Sequence, residues 1–226
     1  MWNLDRNIPF TSARRIIRHE ILDEQTPEAG AKSLRDLVRI NRYLGGHEAS
    51  RKALRSVAPN RPFTVLDVGA ASGDTAEAIR AAFPSARVTS LDYKPHHLSR
   101  AAEPKVAGDA FRLPFRPKSF DIVHCSLFLH HYEDSEVVDL LRGFRDLAKL
   151  AVIVNDLERH AIAYYFMPAT AWLLRWDRIT IHDAPISVQA AFTQSELKDL
   201  ASKAGLRDLQ TRVFHPAFRI TLIGHT

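Results

Sequence analysis

The central part of the chain alternates short apolar runs with stretches in which apolar residues recur at helical spacing. Residues 63–68 are largely apolar and contain β-branched side chains, which predicts a short buried strand. Further strands of this kind are predicted at residues 87–91, 105–107, 120–126 and 151–154. Alternation of strands and helices is typical of an α/β fold, in which helices cover both faces of a parallel sheet.

Amphipathic helices are predicted between these strands. One begins at Asp74, which we expect to cap it, and ends before Pro84, where the backbone can no longer donate to a helix. A second helix carries one apolar face, formed by Val137, Leu141, Phe144 and Ala148. Both helices are therefore expected to pack against the sheet.

Regular winding resumes near the end of the sequence. Thr193 and Glu196 have the spacing of a capping box, which predicts a helix start. Two closing strands are predicted at residues 209–214 and 218–223, with Pro216 between them. These two strands bring the predicted sheet to seven, mostly parallel.

Two segments stand outside this alternation. Residues 1–58 predict helices, because apolar residues recur near helical spacing up to the pair Gly45-Gly46, which ends the run. Residues 157–190 break the pattern and are rich in aromatic side chains. We expect a single domain with four parts: an N-terminal helical cap (1–58), a core (59–156), an irregular insert (157–190) and a C-terminal part of the sheet (191–226).

Charge and cysteine content narrow the functional class. The 226 residues include 31 Lys and Arg against 26 Asp and Glu, a formal net charge of +5. The basic cluster of Arg14, Arg15 and Arg18 predicts a solvated helix face, because nucleic-acid sites concentrate more charge on one surface. The single cysteine, Cys125, excludes an intrachain disulfide and suits a reducing cytoplasm.

No segment predicts targeting or insertion into a membrane. Asp5 and Arg6 precede any apolar run, which is unlike a signal peptide. The longest apolar stretch, residues 161–174, is too short to span a bilayer and contains Pro168. We therefore expect a cytoplasmic protein, either a monomer or a homodimer.

The strongest chemical signal is the run VLDVGAASGD at residues 65–74. A buried strand containing Asp67 leads into a turn of small residues and then into a helix. Gly69 and Gly73 allow a positive φ or a close backbone approach, and Ala70, Ala71 and Ser72 leave room for a ligand beside the main chain. Such turns at strand ends form the nucleotide sites of open α/β sheets, although the spacing here differs from the dinucleotide pattern G-x-G-x-x-G.

An acidic residue also ends the second predicted strand. The carboxylate of Asp92 can accept hydrogen bonds from both hydroxyls of an adenosine ribose, as in related folds. The ring of Tyr93, the next residue, is positioned to lie along the adenine. The alternative is that Asp92 is a solvated acid at a strand end.

Four motifs in order resemble the type 11 family of class I S-adenosylmethionine-dependent methyltransferases. They are the turn at 69–73, Gly-Asp-Ala at 108–110 with Leu-Pro-Phe at 113–115, Ser-Phe-Asp-Ile-Val at 119–123, and Leu-His-His at 129–131. The resemblance covers residues 63–156. It departs from the family's D-x-G-x-G-x-G pattern at Ala71, where the middle glycine is expected. The family includes ubiquinone and menaquinone C-methylases and natural-product O-methyltransferases.

The resemblance implies a Rossmann-like, doubly wound sheet whose core binds S-adenosylmethionine and releases S-adenosylhomocysteine. It also implies that Asp109 bonds the adenine amino group and that Ala110 pairs through its backbone N–H. Ser126 and Leu127 would lie under the methionine part. The expected cofactor-binding residues are Asp67, Gly69, Ala70, Ala71, Ser72, Gly73, Asp92, Tyr93, Asp109, Ala110, Ser126 and Leu127.

The expected acceptor is a small aromatic or lipid-like molecule, such as a phenol or quinol. Asn155, at the end of the fifth predicted strand, is expected to face the active-site crevice. Tyr164, Tyr165 and Trp172 lie in the insert expected to cover that crevice, where they either form core or line a substrate pocket. The pattern favours O-methylation but does not distinguish it from methylation of carbon or nitrogen.

Methylation of an oxygen requires a base, and histidine suits this role near neutral pH. His182, followed by Asp183, is the first candidate, because residues 182–193 loosely resemble H-D-x-P…A-F-T segments of small-molecule methyltransferases. Its alternative role is to bond the backbone of a local polar turn. His131 is the second candidate. The adjacent histidine pairs are expected to bind no metal, because neighbouring side chains on a helix or strand do not converge.

Two other functions remain open at this point. A nucleic-acid methyltransferase is supported only by the net positive charge, and no N-P-P-Y or D-P-P-Y run is present. A non-catalytic protein that binds the cofactor in the same fold is favoured only by Ala71.

Overall fold

Seven strands form one mixed sheet at the centre of this computed structural model, which describes residues 10–215 and 218–226. The strands lie in the order β3-β2-β1-β4-β5-β7-β6. Their bounds are β1 Phe63–Val68, β2 Ala86–Asp92, β3 Lys105–Ala107, β4 Phe120–Ser126, β5 Ala148–Leu157, β6 Arg207–Phe214 and β7 Arg219–His225. The first five are parallel, and β7 runs antiparallel to both β5 and β6. The predicted Rossmann-like fold is confirmed.

The strand order reverses between β1 and β4, so the chain leaves β1 towards one edge of the sheet and returns to the other side at β4. In open sheets of this kind, ligands bind beyond the carboxyl ends of the strands at the reversal. Residues that follow β1, β2, β4 and β5 are thereby gathered at one edge of the sheet.

Helices cover both faces of the sheet. They are α1 Ile21–Glu24, α2 Pro27–Tyr43, α3 Gly46–Val57, α4 Asp74–Ala82, α5 Asp134–Leu147, α6 Ala161–Leu174, α7 Arg178–Ala190 and α8 Gln194–Lys203. Apolar side chains of α5 and α8 pack on one face of the sheet, and those of α3 and α4 pack on the other. This burial of apolar surface on both faces is the main stabilising contribution to such a fold.

Several predicted helix boundaries agree with the structure and one does not. The capping box of Thr193 and Glu196 begins α8, as predicted. In α4, by contrast, the capping position is Gly73, whose φ is 77°, and Asp74 is the first helical residue. The prediction that Asp74 caps this helix is wrong, because the backbone reverses one residue earlier, where glycine permits a positive φ.

Residues 157–190 are not irregular, which corrects the prediction for this segment. After the end of β5 they form α6 and α7, each with an internal proline, Pro168 and Pro185. The apolar residues of α6 do not fall on one side, so no helical stripe marks it in the sequence. Tertiary packing stabilises it instead, because Met167 and Trp176 join Ile40 of α2 in a separate small core.

Smaller differences concern the ends of elements. β5 is longer than predicted and begins directly after α5, so Ala148 belongs to the strand and not to the helix. The predictions at Asp5, Arg6 and Pro216 lie outside the described residues. Among the residues that are described, no helix is long and apolar enough to cross a membrane.

Candidate active site

The turn after β1 takes the tight form that its small residues predict. Gly69 has a φ of 69°, and a Cβ there would lie 2.5 Å from the ring of Phe128. A Cβ at Gly73 would lie 2.7 Å from that of Ala101. Ala71, where the family pattern has glycine, also has a positive φ, of 44°. An alanine in this region costs about 1–2 kcal/mol, so the surrounding contacts must hold the turn in place.

Asp92 supplies part of that support. Its Oδ2 accepts a hydrogen bond of 2.9 Å from the backbone N–H of Ala71, and its Oδ1 accepts one of 2.9 Å from the N–H of Lys94. The Nδ1 atom of His97 lies 3.3 Å from Oδ1. Burial alone would raise the pKa of Asp92, but His97 and the two backbone N–H groups lower it below its usual range. Asp92 is therefore an anion that joins the ends of β1 and β2.

A pocket lies between this turn and helix α2. Its walls include Asp67, four residues of the turn and the two residues that end β4 and follow it. The lining residues predicted to bind cofactor are Asp67, Gly69, Ala70, Ala71, Ser72, Ser126 and Leu127. Leu34, Leu37, Val38 and Asn41 of α2 close the other side. The cavity measures about 80 Å³, whereas pockets that hold small-molecule ligands measure roughly 300–1,000 Å³. With α2 in this position, the cavity is therefore smaller than a nucleoside cofactor requires.

The other predicted cofactor residues do not line this pocket. Tyr93 is 74% exposed. The side chain of Asp109 accepts a hydrogen bond of 2.9 Å from the backbone N–H of Phe111, which closes a short turn around Ala110. Both residues follow neighbouring strands at the same edge of the sheet as the turn.

Asp67 heads a buried polar chain that crosses three strands. Its Oδ1 lies 2.8 Å from Nδ1 of His124, whose Nε2 lies 2.9 Å from the hydroxyl of Ser50 in α3. The amide of Asn155 donates to Ser50 Oγ and to the carbonyl of Gly46, each at 2.8 Å. Asn155 is fully buried under α3. It thus does not face an open crevice, and we do not include it among the residues proposed to contact the acceptor.

One oxygen of Asp67 fits a bound ligand. Its Oδ2 atom is buried and has no hydrogen-bond partner among the described residues. Buried carboxylate oxygens are normally hydrogen-bonded, and this one belongs to a residue that lines the pocket. The small-residue turn and this unpaired acceptor together suit the amino and ribose groups of a nucleoside cofactor.

A second polar cluster lies at the ends of β4 and β5. Residues Leu129–His131 form a 3₁₀ turn, and Asp156 of β5 accepts hydrogen bonds from the backbone N–H groups of Leu129 (3.0 Å) and His130 (3.3 Å). Asp156 Oδ1 also lies 2.6 Å from His130 Nδ1. Burial opposes both charges, yet the pair holds the pKa of Asp156 low and that of His130 high. The two residues form a buried ion pair.

Glu20 approaches this pair from the segment before α1. Its Oε1 atom lies 3.7 Å from Nε2 of His130 and 4.0 Å from Nδ1 of His131, and it accepts a hydrogen bond from the hydroxyl of Ser187. The two imidazole rings are 4.2 Å apart and tilted by 31°. The expectation that adjacent histidines do not converge is wrong here, because a 3₁₀ turn does not separate them as a regular helix or strand would.

His182 and Asp183 lie inside helix α7, not in the polar turn that the sequence suggested. Nδ1 of His182 lies 2.8 Å from Oδ1 of Asp183, which also accepts from the N–H of Ile21, while Oδ2 accepts from the N–H of Leu22. Burial raises the pKa of Asp183 above its usual range despite these bonds. Asp183 thus holds the ring of His182 and also the first turn of α1, which begins at Ile21, directly after Glu20.

The aromatic residues of the insert divide into two groups. Trp176 is buried beside Met167 in the small core with α2, whereas Trp172 and Tyr165 are 81% and 55% exposed. The ring of Tyr164 packs on Phe10 and Tyr165. The structure therefore brings Tyr164 and Tyr165 together but leaves Trp172 on the outer surface of α6.

Arg15 corrects the prediction of a solvated basic helix face. Residues 10–20 are not helical, and the Arg15 side chain is 6% exposed. Its guanidinium donates to the carbonyls of Ala190 (2.7 Å) and Tyr132 (2.9 Å) and lies over the ring of Phe192. Arg15 ties this segment to the ends of α7 and the 3₁₀ turn, which leaves it unable to contact phosphates.

Comparison with known proteins agrees with this geometry. The methyltransferase domain family matches residues 65–150, the part that carries the turn, Asp92 and the 3₁₀ turn. Demethylmenaquinone methyltransferase of Porphyromonas gingivalis is 27% identical over 187 residues, which cover 72% of this chain and 75% of that protein. Residues 65–150 thus form a methyltransferase domain, and the comparisons support an S-adenosylmethionine-dependent methyltransferase.

Solved structures share the fold of the methyltransferase. Human N-acetylserotonin methyltransferase in complex with S-adenosylmethionine superposes with a TM-score of 0.61 at 19% identity, over 85% of this chain. A methyltransferase from Aquifex aeolicus superposes with a TM-score of 0.56 at 15% identity, over 77% of this chain and 87% of its own length. The chain spans 54% of the length of the human protein, little more than half.

Sequence reasoning missed part of the cluster around Glu20. Glu20 and Ser187 lie in segments without a motif, so no sequence signal marks them. His130 and Asp156 stand at the ends of predicted strands, where side chains of an α/β sheet converge, and that position is the signal available for them. The methyltransferase thus has a cofactor pocket that its motifs reveal and a polar cluster in which the motifs include His130 and His131 but not Glu20, Asp156 or Ser187.

Proposed function

We propose that this methyltransferase transfers a methyl group to an oxygen of a small aromatic or lipid-like acceptor, such as a phenol or quinol. The observation that carries the proposal is the His182–Asp183 pair, because α7 packs against the turn that ends β4, next to the cofactor pocket. A histidine held by a carboxylate at that position is suited to remove a proton from an acceptor hydroxyl.

S-adenosylmethionine supplies, when bound, a methyl group already activated on a sulfonium. The turn 69–73, Asp67, Ser126 and Leu127 would hold it, with Asp92 at the ribose and Tyr93, Asp109 and Ala110 at the adenine. The work left to the chain is to align the acceptor and to deprotonate it. Alignment can supply roughly 7–11 kcal/mol, and a general base typically contributes about 10²–10⁴-fold.

His182 is the proposed base. Within the described residues its ring makes one hydrogen bond, through Nδ1 to Asp183, and its side chain is 30% exposed. Asp183 therefore fixes the orientation of the ring. His131 is the alternative base, with a side chain that is also 30% exposed and lies beside Glu20.

The cap (1–58) and the insert (157–190) are proposed to act together as a lid over the acceptor. Ile40 of α2 packs with Met167 of α6 and with Trp176, which lies between α6 and α7, and Ile181 of α7 packs against the same core; these contacts support this role. Tyr164 and Tyr165, which pack on each other at the start of α6, are proposed to contact the acceptor. We place the protein in the cytoplasm, as a monomer or homodimer.

A small acceptor is favoured over nucleic acid for two reasons. Demethylmenaquinone methyltransferase and N-acetylserotonin methyltransferase are named for small-molecule acceptors. In this chain, the guanidinium of Arg15 donates hydrogen bonds to the carbonyls of Ala190 and Tyr132 and is therefore not available to a phosphate.

The test is a methyl-transfer assay with isotopically labelled S-adenosylmethionine and a panel of phenols, quinols, amines and tRNA. We expect label in a phenol or quinol. With that acceptor at saturation, His182→Gln should lower kcat by about 10²–10⁴-fold while calorimetry shows unchanged affinity for S-adenosylhomocysteine. Label appearing only in tRNA or in amines would refute the proposed acceptor class, and a near-normal kcat for His182→Gln would transfer the role to His131.

A further inference from the structure

The side chains of Glu20, His130 and His131 are arranged as ligands around one point. Each offers one ligand atom, and the three atoms lie within 4.8 Å of one another. The Oε1 atom of Glu20 is 3.7 Å from Nε2 of His130 and 4.0 Å from Nδ1 of His131. Two imidazoles and one carboxylate form a ligand set used by catalytic zinc sites, which keep a further position open.

The surroundings resemble those of a built metal site in one further respect. The other ring nitrogen of His130, Nδ1, is held at 2.6 Å by Oδ1 of the fully buried Asp156. A carboxylate behind a histidine ligand fixes the ring orientation and raises the basicity of the nitrogen that faces the ion. Asp156 is itself fixed by the backbone N–H groups of Leu129 and His130.

Charge at this cluster also suits a cation. Glu20 and Asp156 are both buried carboxylates, and buried anions require a compensating positive charge. A proton on His130 provides one such charge, and a divalent ion between Glu20 and the two histidines would provide more. An ion could reach the cluster from the side of His131, whose side chain is 30% exposed. The His130 side chain is 4% exposed and lies behind it.

We propose that Glu20, His130 and His131 bind a divalent transition-metal ion of the Zn²⁺ class. Binding requires the three ligand atoms to draw together, because Zn²⁺ sites place nitrogen and oxygen ligands about 2.0–2.2 Å from the ion. Glu20 and His131 can make this adjustment, since the segment before α1 and the 3₁₀ turn are not parts of the sheet. The hydroxyl of Ser187 would continue to hold the Glu20 carboxylate.

The proposal does not depend on the identity of the methyl acceptor. It concerns binding of an ion by the chain itself, measured without S-adenosylmethionine or acceptor. Failure of the metal site would leave the proposed O-methylation untouched, and the reverse also holds.

The test is calorimetric titration of the full-length, chelator-treated protein with ZnCl₂. We expect one ion per chain, and at least tenfold weaker binding in Glu20→Gln and in His131→Gln. His215→Gln, which removes an exposed histidine outside the cluster, is the matched control and should bind as the parent does. Circular dichroism of each variant establishes that it is folded.

Substitution of Co²⁺ gives a second readout. A site with nitrogen and oxygen ligands should produce visible d–d absorption that Glu20→Gln abolishes and His215→Gln retains. Absence of stoichiometric binding, or equal binding by the parent and His131→Gln, would overturn the proposal. The cluster would then be a proton-bridged network in which His130 alone balances the two carboxylates.

Discussion

Two regions at the same edge of the sheet are constructed differently. In the region at the ends of β1 and β2, Asp67, Asp92 and the turn 69–73 are linked mostly to each other and to backbone groups nearby. In the region at the ends of β4 and β5, Asp156 and His130 are completed by Glu20, more than a hundred residues away in sequence, and by α7. The cofactor pocket is thus formed mainly by strand ends and the turn, with α2 as one wall, whereas the cluster at β4 and β5 is completed by covering segments.

This difference teaches where each half of the site obtains its rigidity. Strand ends in one sheet keep their relative positions, so the cofactor turn is formed by local geometry. The cluster at the ends of β4 and β5 depends on long-range contacts with the cap and the insert, which we propose to act as a lid. Lids generally come from the less stable parts of a fold.

The largest expected effect concerns Asp156. Asp156→Ala leaves the buried His130 cation with Glu20 as its one remaining anionic neighbour among the described residues and frees two backbone N–H groups. Breaking a buried pair in this way costs about 3–5 kcal/mol, so the free energy of unfolding in urea should fall by that amount. Asp139→Ala, at a side chain 64% exposed, is the control. A loss under about 1 kcal/mol would contradict the picture of a buried ion pair.

The pH dependence of unfolding should separate the two regions. The pKa of His130 rises from 6.5 to about 10 in the folded protein, so its contribution is complete below pH 6.5 and is lost as the pH rises towards 10. Glu20 has a pKa lowered from 4.5 to about 2, so its contribution is present above pH 4.5 and is lost in acid.

The measurement is the free energy of unfolding between pH 6.5 and 9. We expect it to fall with rising pH in the parent and to be flatter in His130→Gln. On the cofactor side, the pKa of Asp92 is lowered, so that region loses stability only in acid. An equally steep alkaline fall in His130→Gln would assign the slope to another group.

A smaller effect is expected for cofactor affinity. Asp92→Ala removes an anion that we expect to accept ribose hydrogen bonds, and the net loss of one such bond to a charged acceptor costs roughly 1.5–3 kcal/mol. Calorimetry with S-adenosylhomocysteine should therefore show at least tenfold weaker binding. Glu77→Ala, on the exposed side of α4, should bind as the parent does. Unchanged affinity in folded Asp92→Ala would remove Asp92 from the cofactor site.

The smallest effect concerns the chain of hydrogen bonds under α3. Ser50→Ala removes the hydroxyl that bonds both His124 and Asn155, and two such hydrogen bonds together contribute about 2 kcal/mol. The free energy of unfolding should fall by about that amount without change in the pH profile between 6.5 and 9. A pH profile altered in this variant would show that the two regions are coupled.

The sequence by itself determined the sheet and the cofactor turn. The strands β1, β3 and β4 were predicted with their observed bounds, because short β-branched runs have few alternatives. The turn was predictable because it carries glycine at residues 69 and 73. The structure shows why glycine is needed there: Phe128 and Ala101 leave no space for a Cβ at these positions. These features depend on residues that are neighbours in sequence or lie at the ends of neighbouring strands.

Only the tertiary structure decided the rest. Helices α6 and α7 carry no helical stripe and contain prolines, so their packing on α2 had to be seen. The burial of Asn155 under α3 and the removal of Arg15 from solvent depend on contacts across more than a hundred residues. The meeting of Glu20 with His130 and His131 is of the same kind. A periodic pattern records which face of an element is buried, but it does not record which distant segment covers that face.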